Sequence, residues 1–251
     1  RRGEALELYG RAIELMPDLG WHYYLGAGGP MEPDLFETAR EGLMRALQTN
    51  VVFRREKIES NLGYLHERQR DFEGALRHYR RAIQIAVDKS QYLYQAGTIF
   101  AFQGRTDEAI EYYRRALDKG TLNRRLELAA LRQLGRALAE RGEHKAAAGY
   151  LARARELDPG SYQTRVELGR AWFDAGEISR AESELKNAVQ VDPSRPEAYA
   201  ALISLYRSSG DFARAIPLAR RLVEIQPQDR GWKDLLDELY RQVGPDPPGG
   251  S

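Results

Sequence analysis

The sequence predicts an all-α fold, an α-solenoid of antiparallel helix pairs, and a repeat is what predicts it. Three helical stretches end alike, at Leu157-Asp158-Pro159, Val191-Asp192-Pro193 and Ile225-Gln226-Pro227, each 34 residues after the last. Counting back from each Pro keeps other positions in register: Leu134-Gly135, Leu168-Gly169 and Leu202-Ile203; Gly142, Gly176 and Gly210; Ala147, Ala181 and Ala215. A period of this length marks stacked supersecondary units. One such unit cannot bury its apolar face alone, so neighbours must stack.

Two further copies lie upstream. Leu62-Gly63, Ala75, Tyr79 and Ala82 fall on the pattern in one, and Ala96-Gly97, Gly104, Ala109, Tyr113 and Ala116 in the other. The repeats are therefore 56–89, 90–123, 128–161, 162–195 and 196–229. Arg124 to Glu127 are additional and are expected to lengthen a helix start or a loop.

Each position has a physical reason. The turn between helices A and B takes Gly, because a backbone with φ > 0 is easy only for Gly. Arg70 stands there in the first full copy, so that turn must be built differently or be strained. Gly at the eighth position lets A and B approach closely, and Leu and aromatics fill the layer between helices. Pro near the end stops helix B. Pro217, inside the last helix B, is expected to remove a backbone hydrogen bond and kink it.

The ends follow the same logic. Residues 1–17, with Ala5, Tyr9, Ala12 and Pro17, are expected to be helix B of a truncated repeat. Residues 18–55 form a degenerate repeat: Phe36, Ala39, Leu43 and Ala46 suit its helix B, but Gly26-Ala27-Gly28-Gly29-Pro30 breaks its helix A. Residues 230–243 space Trp232, Leu235, Leu236, Leu239, Tyr240 and Val243 as a capping helix, and 244–251 form a Pro/Gly-rich tail expected to be disordered. The pattern starts partway through a motif, which suggests a longer parent chain.

The order of an aromatic, Leu-Gly, a turn Gly, then small, aromatic, small and Pro resembles the tetratricopeptide-repeat (TPR) family. That resemblance implies a right-handed superhelical TPR α-solenoid with a C-terminal capping helix and a concave groove lined by the A helices.

Composition narrows the function classes. With 42% apolar and 30% charged residues the chain is of the soluble, folded kind. A net charge of +1 gives no bulk field toward nucleic acid or an anionic membrane. No apolar run is long enough to cross a membrane, so no direct membrane insertion is expected. The absence of Cys removes disulfides, thiolate catalysis and Cys-based metal sites, and suits cytoplasm and periplasm equally.

Catalytic chemistry is not evident, and the chain is not expected to be an enzyme or to hold a metal or cofactor. His22, His66, His78 and His144 form no ligand set at metal-binding spacing and are expected to be structural or on the surface. The Gly26–Gly29 run lacks the preceding strand and the Lys-Ser/Thr ending of a phosphate loop. No Ser, Thr or Lys lies in a nucleophile motif.

The groove remains. The TPR resemblance carries groove positions onto Asn61, Gln95 and Gln133, whose amides could hold a peptide backbone through their paired donor and acceptor. It carries others onto Tyr64, Thr98, Arg132, Arg136 and Arg170, which makes the middle of the groove basic. Tyr94, Phe102 and Phe173 add aromatic surface. A plainer reading pairs Arg136 with Glu140 and Arg170 with Asp174 as solvated intrahelical ion pairs. The pattern for binding a chaperone's C-terminal carboxylate is met in only one element, Asn61, so that partner is not expected.

The leading expectation is a protein-interaction scaffold that holds an extended or helical peptide, of acidic character, in the groove. The alternative is the recruiting arm of a larger enzyme or cell-envelope assembly. RNA binding is disfavoured by the near-neutral charge. Self-association through the incomplete N-terminal repeat is a further expectation, because it would leave an apolar edge.

Overall fold

The structure, a computed structural model, describes residues 2–15, 33–48, 55–118 and 120–243. These residues are helical apart from short connections. They divide into two units, with the boundary between Asn123 and Arg124. The first holds α1 (Arg2–Leu15), α2 (Pro33–Gln48), α3 (Arg55–Arg68), α4 (Phe72–Ile85), α5 (Ser90–Phe102) and α6 (Thr106–Leu117). The second holds α7 (Arg124–Glu140), α8 (His144–Leu157), α9 (Tyr162–Asp174), α10 (Ile178–Val191), α11 (Pro196–Ser208), α12 (Phe212–Ile225) and α13 (Arg230–Val243). The expected break at Gly26–Pro30 and the tail at 244–251 lie outside the described residues.

From α3 onward the helices pair as A and B, each pair packed against the next within its unit. The pairs are tight because of what faces what. A Cβ added to Gly63 would lie 2.7 Å from the Tyr79 ring, and one on Gly97 2.9 Å from the Tyr113 ring. At Gly135 and Gly169 it would lie 2.6 Å from Leu151 Cγ and Leu185 Cγ. In four repeats, then, helix A gives up its side chain so that helix B can place a buried Tyr or Leu there. The last repeat inverts the pair: Ile203 stands in the Gly position and Ala219 in the Tyr/Leu position, and both are buried. The combined volume is met either way, as close packing of interiors requires.

The turns close identically. At Gly104 the backbone is left-handed, with φ of 71°, its N–H donates to Ala101 O, and the Arg105 N–H donates to Phe100 O. Gly142, Gly176 and Gly210 repeat this pattern, which satisfies the carbonyls left over at a helix end. Arg70 does the same at φ of 61°, donating to Glu67 O while Asp71 donates to His66 O. Of the two expectations for that turn, strain is the correct one, since a Cβ is disfavoured at such a φ. The Asp71 carboxylate offsets the strain locally, accepting from Gly74 N–H at 2.9 Å as the cap of α4.

Other irregularities resolve simply. The additional residues Arg124 to Glu127 extend a helix start, giving α7 its 17 residues. Pro217 lies within one continuous helix, α12, rather than ending it. At the C-terminus α13 covers the last repeat with buried Leu239 and half-buried Trp232, Leu235 and Leu236. Arg207 of α11 pairs with Glu238 of α13 at 2.7 Å. At the other end α1 packs directly on α2, where a Cβ on Gly42 would come within 2.8 Å of the Gly10 carbonyl. The outward face of α1 carries exposed Leu8 and Leu15.

Gly169→Ala tests the close approach. A methyl 2.6 Å from Leu185 Cγ overpacks the interface, at a cost of about 1–3 kcal/mol, against a helix-propensity gain of about 1 kcal/mol. Urea unfolding should show a net loss of stability with an unchanged m-value.

Candidate functional site

In the second unit the A helices α7, α9 and α11 touch in succession, in addition to their contacts within pairs, whereas no two B helices meet to the same extent. Closer spacing on the A side makes it the inner face of this unit. Of the residues expected to line a groove, Arg132, Gln133 and Arg136 lie on α7, and Arg170 and Phe173 on α9.

Arg132 is spent on the fold. Its guanidinium reaches across to α9 and donates Nε to Glu167 Oε2 and Nη2 to Glu167 Oε1, both at 3.0 Å. Gln163 Nε2 donates to the same carboxylate at 3.1 Å. The bidentate pair ties consecutive repeats together and cancels the charge of Arg132. The basic character expected of the groove therefore rests on Arg136 and Arg170.

Arg136 and Arg170 differ. Both are exposed, and neither forms an ion pair among the described residues, so the intrahelical pairs with Glu140 and Asp174 are absent. They lie one repeat apart on touching helices. Beside Arg170, a cleft of about 250 Å³ is lined by Phe173, Asp174, Ala200, Ala201 and Ser204. Arg170 thus stands on the rim of a recess, and Arg136 lies one repeat earlier on α7. Gln133, half-buried on α7, also makes no hydrogen bond among the described residues.

The first unit has its own A-helix face. Gln95 on α5 accepts from Ser60 Oγ of α3 at 2.8 Å, which leaves its amide N–H groups as donors. Asn61 is half-buried beside it in the same register. Thr98 Oγ1 donates to the Tyr94 carbonyl within its own helix, so its hydroxyl is partly occupied. Arg68 donates to the Tyr64 hydroxyl at 3.1 Å. Phe102 is exposed, 67% open to solvent, and stacks on Phe72 of α4 at 6.3 Å. Tyr94 is half-buried against Tyr113, and burial raises the pKa of its hydroxyl.

Sequence reasoning missed two groups. Glu67 accepts from the buried Tyr79 hydroxyl at 2.8 Å, and burial pushes its carboxyl pKa up. The signal was Tyr79 itself, since a buried Tyr needs a polar partner. The histidines also find carboxylates: His66 lies 2.8 Å from Asp71, and His78 2.7 Å from Glu59. Their rings stack at 5.1 Å. Those partners are five and 19 residues away in sequence, beyond helical spacing. His22 lies outside the described residues, and among the described residues no group of three ligands could hold a metal.

Comparison with known proteins decides the family. Family models described as "Tetratricopeptide repeat" match residues 54–119, 94–162 and 173–239, most of the chain. The chain belongs to the tetratricopeptide-repeat family. Its stacked helix pairs are those of a repeat scaffold. Among solved structures it is similar to YrrB, a TPR protein with an unusual peptide-binding site, at 23% identity over 79% of this chain and 100% of that one, with a TM-score of 0.68. It is also similar to part of a TPR repeat-containing protein from Cytophaga hutchinsonii, at 16% identity, 92% and 93% coverage, and a TM-score of 0.70. PilF of Pseudomonas aeruginosa matches at 18% identity, 94% and 99% coverage, and a TM-score of 0.65. These likenesses are of fold. No curated protein matches the TPR chain in sequence.

The two units should respond to pH with opposite signs at two carboxylates. In the second unit Lys186, at 2.6 Å, holds the Glu182 carboxyl pKa below its ordinary value of 4.5, helped by the Tyr206 hydroxyl. A depressed pKa contributes stability above the unfolded value, and that stability is lost as pH falls through the folded one. Glu67 is raised, so its contribution is present below 4.5 and is lost as pH rises through the folded value. Glu182→Gln should therefore lower stability at pH 7, and Glu67→Gln raise it. Both differences should shrink toward pH 3 in thermal unfolding.

Proposed function

We propose that this TPR chain is a protein-interaction scaffold whose second unit binds an acidic, extended peptide segment along α7, α9 and α11. One observation carries the reading. Arg136 and Arg170 are exposed cations one repeat apart, free of carboxylates among the described residues, while their neighbour Arg132 is bound to Glu167. Glu140 and Asp174 stand four residues after them, the less favourable order for a helical ion pair, and are not used. A carboxylate from a ligand can take both N–H groups of a guanidinium fork, so each Arg suits one acidic side chain. The recess beside Phe173 would take the apolar part of a neighbouring residue, and Gln133 would hold the peptide backbone.

The first unit offers a different, amide and aromatic set. Asn61 and Gln95 suit backbone N–H and C=O groups, and Tyr64, Tyr94, Thr98 and Phe102 suit an apolar stretch. YrrB, similar in fold, is a TPR protein with a peptide-binding site, which agrees with the class of ligand proposed.

A peptide array with graded Asp and Glu content tests this. The wild-type chain should retain acidic peptides preferentially, with affinity falling as salt rises. Arg136→Glu with Arg170→Glu should weaken retention at least tenfold, since hydrogen bonds to charged groups contribute about 1.5–3 kcal/mol each. The variant should unfold as the wild type does, because neither Arg pairs with the fold. Retention without regard to peptide charge would refute the proposal.

A further inference from the structure

One position of the repeat recurs on the three successive A helices of the second unit: Arg136 on α7, Arg170 on α9 and Ser204 on α11, each 34 residues after the last. All three residues are exposed. The helices touch in that order, and helices in contact have axes about 8–10 Å apart. The two cations therefore recur at about that interval, and a ligand that uses both must present its acids at the same interval.

The interval selects a backbone. Side chains of a β-strand return to one face every second residue, after about 6.6 Å and again after about 13 Å, and neither distance fits. A polyproline II segment rises about 3.1 Å per residue with three residues per turn, so every third side chain faces the same way after about 9 Å. That matches one step between A helices. The face is built from helices, α7, α9 and α11, and gives a β-strand no sheet edge to pair with. A polyproline II backbone needs no such partner, because its peptide groups are solvated.

Beyond Arg170 the pattern changes. Arg132 and Glu167 join α7 to α9 at 3.0 Å, and one repeat on their places are held by Val166 and Ala201. The recess of about 250 Å³ lies there, with buried Leu185 and Ala201 and half-buried Phe173 in its lining. It is smaller than the about 300–1,000 Å³ of small-molecule sites, and so of side-chain size. Ser204 also lines it, but its Oγ is occupied, donating to the Ala200 carbonyl at 3.0 Å. Arg170 and Asp174 line it with opposite charges. A carboxylate entering the recess would meet Asp174, and a cation would meet Arg170. An uncharged, apolar side chain is the occupant that meets neither penalty.

We propose that the second unit recognises a polyproline II segment of a partner protein with two acidic residues three apart and an apolar residue beside the acid that meets Arg170. The inference rests on the acidic-peptide reading above and adds the backbone form, the spacing and the flank. One carboxylate meets Arg136, the other meets Arg170, and the apolar side chain enters the recess. Ala201 and Ser204 set the specificity: Ala201 leaves the recess open, and Ser204 ends the row of cations at two.

Calorimetric titration of the chain with acetyl-Leu-Glu-Pro-Pro-Glu-Leu-amide tests it; the Leu on both flanks serves either direction of the peptide. Acetyl-Leu-Glu-Pro-Glu-Pro-Leu-amide has the same composition with its acids two apart, and should bind at least tenfold more weakly. Acetyl-Ala-Glu-Pro-Pro-Glu-Ala-amide should bind several-fold more weakly. Ala201→Gln places in the recess the residue that Gln95 and Gln133 hold in their repeats. It should abolish the advantage of Leu over Ala and keep the preference for spacing. Ser204→Arg, at an exposed position, tests the register without touching the core. It adds a third cation in the row, and acetyl-Glu-Pro-Pro-Glu-Pro-Pro-Glu-amide should bind that variant at least tenfold more tightly than the wild type. Equal affinity for the two spacings, with both peptides lost in the Arg136→Glu/Arg170→Glu variant, would overturn the register and leave the acidic-peptide reading standing. Affinity that ignores acidic residues, or no binding of any of these peptides, would overturn both. A Leu advantage that survives Ala201→Gln in a folded variant would refute the flank.

Discussion

Two helices can lie in van der Waals contact along their backbones only where one of them has no side chain to interpose. In this chain that constraint falls on Gly63, Gly97, Gly135 and Gly169, each under a buried Tyr or Leu of the following helix. The helices themselves are short, 12 to 17 residues. Isolated segments of that length are marginal in water, so they persist because their apolar stripes are buried on a partner. The Gly contact sets how near the partner comes, and thereby how completely Leu62, Leu134 and Leu168 leave solvent. The left-handed turns close each pair at the same distance. Once both are fixed, the outward residues of the A helices fall in register from one repeat to the next within each unit.

Recognition is what remains after the fold has used the side chains it needs. Arg132, Glu167 and Gln163 form a knot between repeats, and Arg155, Arg165 and Glu184 form another on the outer side. Charges placed this way hold neighbouring repeats in register. The surface that could serve a partner is one where the pattern lapses, at Arg136 and Arg170, which have no carboxylates among the described residues. A repeat protein shows such departures plainly because its own copies supply the comparison.

The same regularity explains what the sequence revealed. Periodic Gly, Ala and Pro residues announced the helix pairs and their order, since those residues answer to backbone geometry that repeats. Arg70 kept the turn that Gly makes elsewhere, because the hydrogen bonds around it and the Asp71 cap hold it there. The helices that carry the groove candidates could be read from the repeat, whereas the ion pairing of those residues could not. Whether Arg132 is free depends on Glu167, 35 residues away, and whether Arg136 pairs with Glu140 depends on rotamers that spacing alone does not choose. The exchange of Ile203 for Gly and Ala219 for Leu or Tyr was visible in the sequence only as a departure from pattern. Its meaning needed the two helices to be seen face to face.

The central claim is that each repeat is set by the summed volume of one facing pair, and a double-mutant cycle on the inverted pair tests it most directly. Ala219→Leu alone should overpack against Ile203, and Ile203→Gly alone should leave a cavity and weaken its helix; each should cost about 1–4 kcal/mol. Together they recreate the Gly-and-Leu pair of the repeat before, and the double variant should recover most of the loss, with a coupling of about 1–3 kcal/mol in denaturant unfolding. Strictly additive losses would show that the two residues do not share one volume, and would contradict the account.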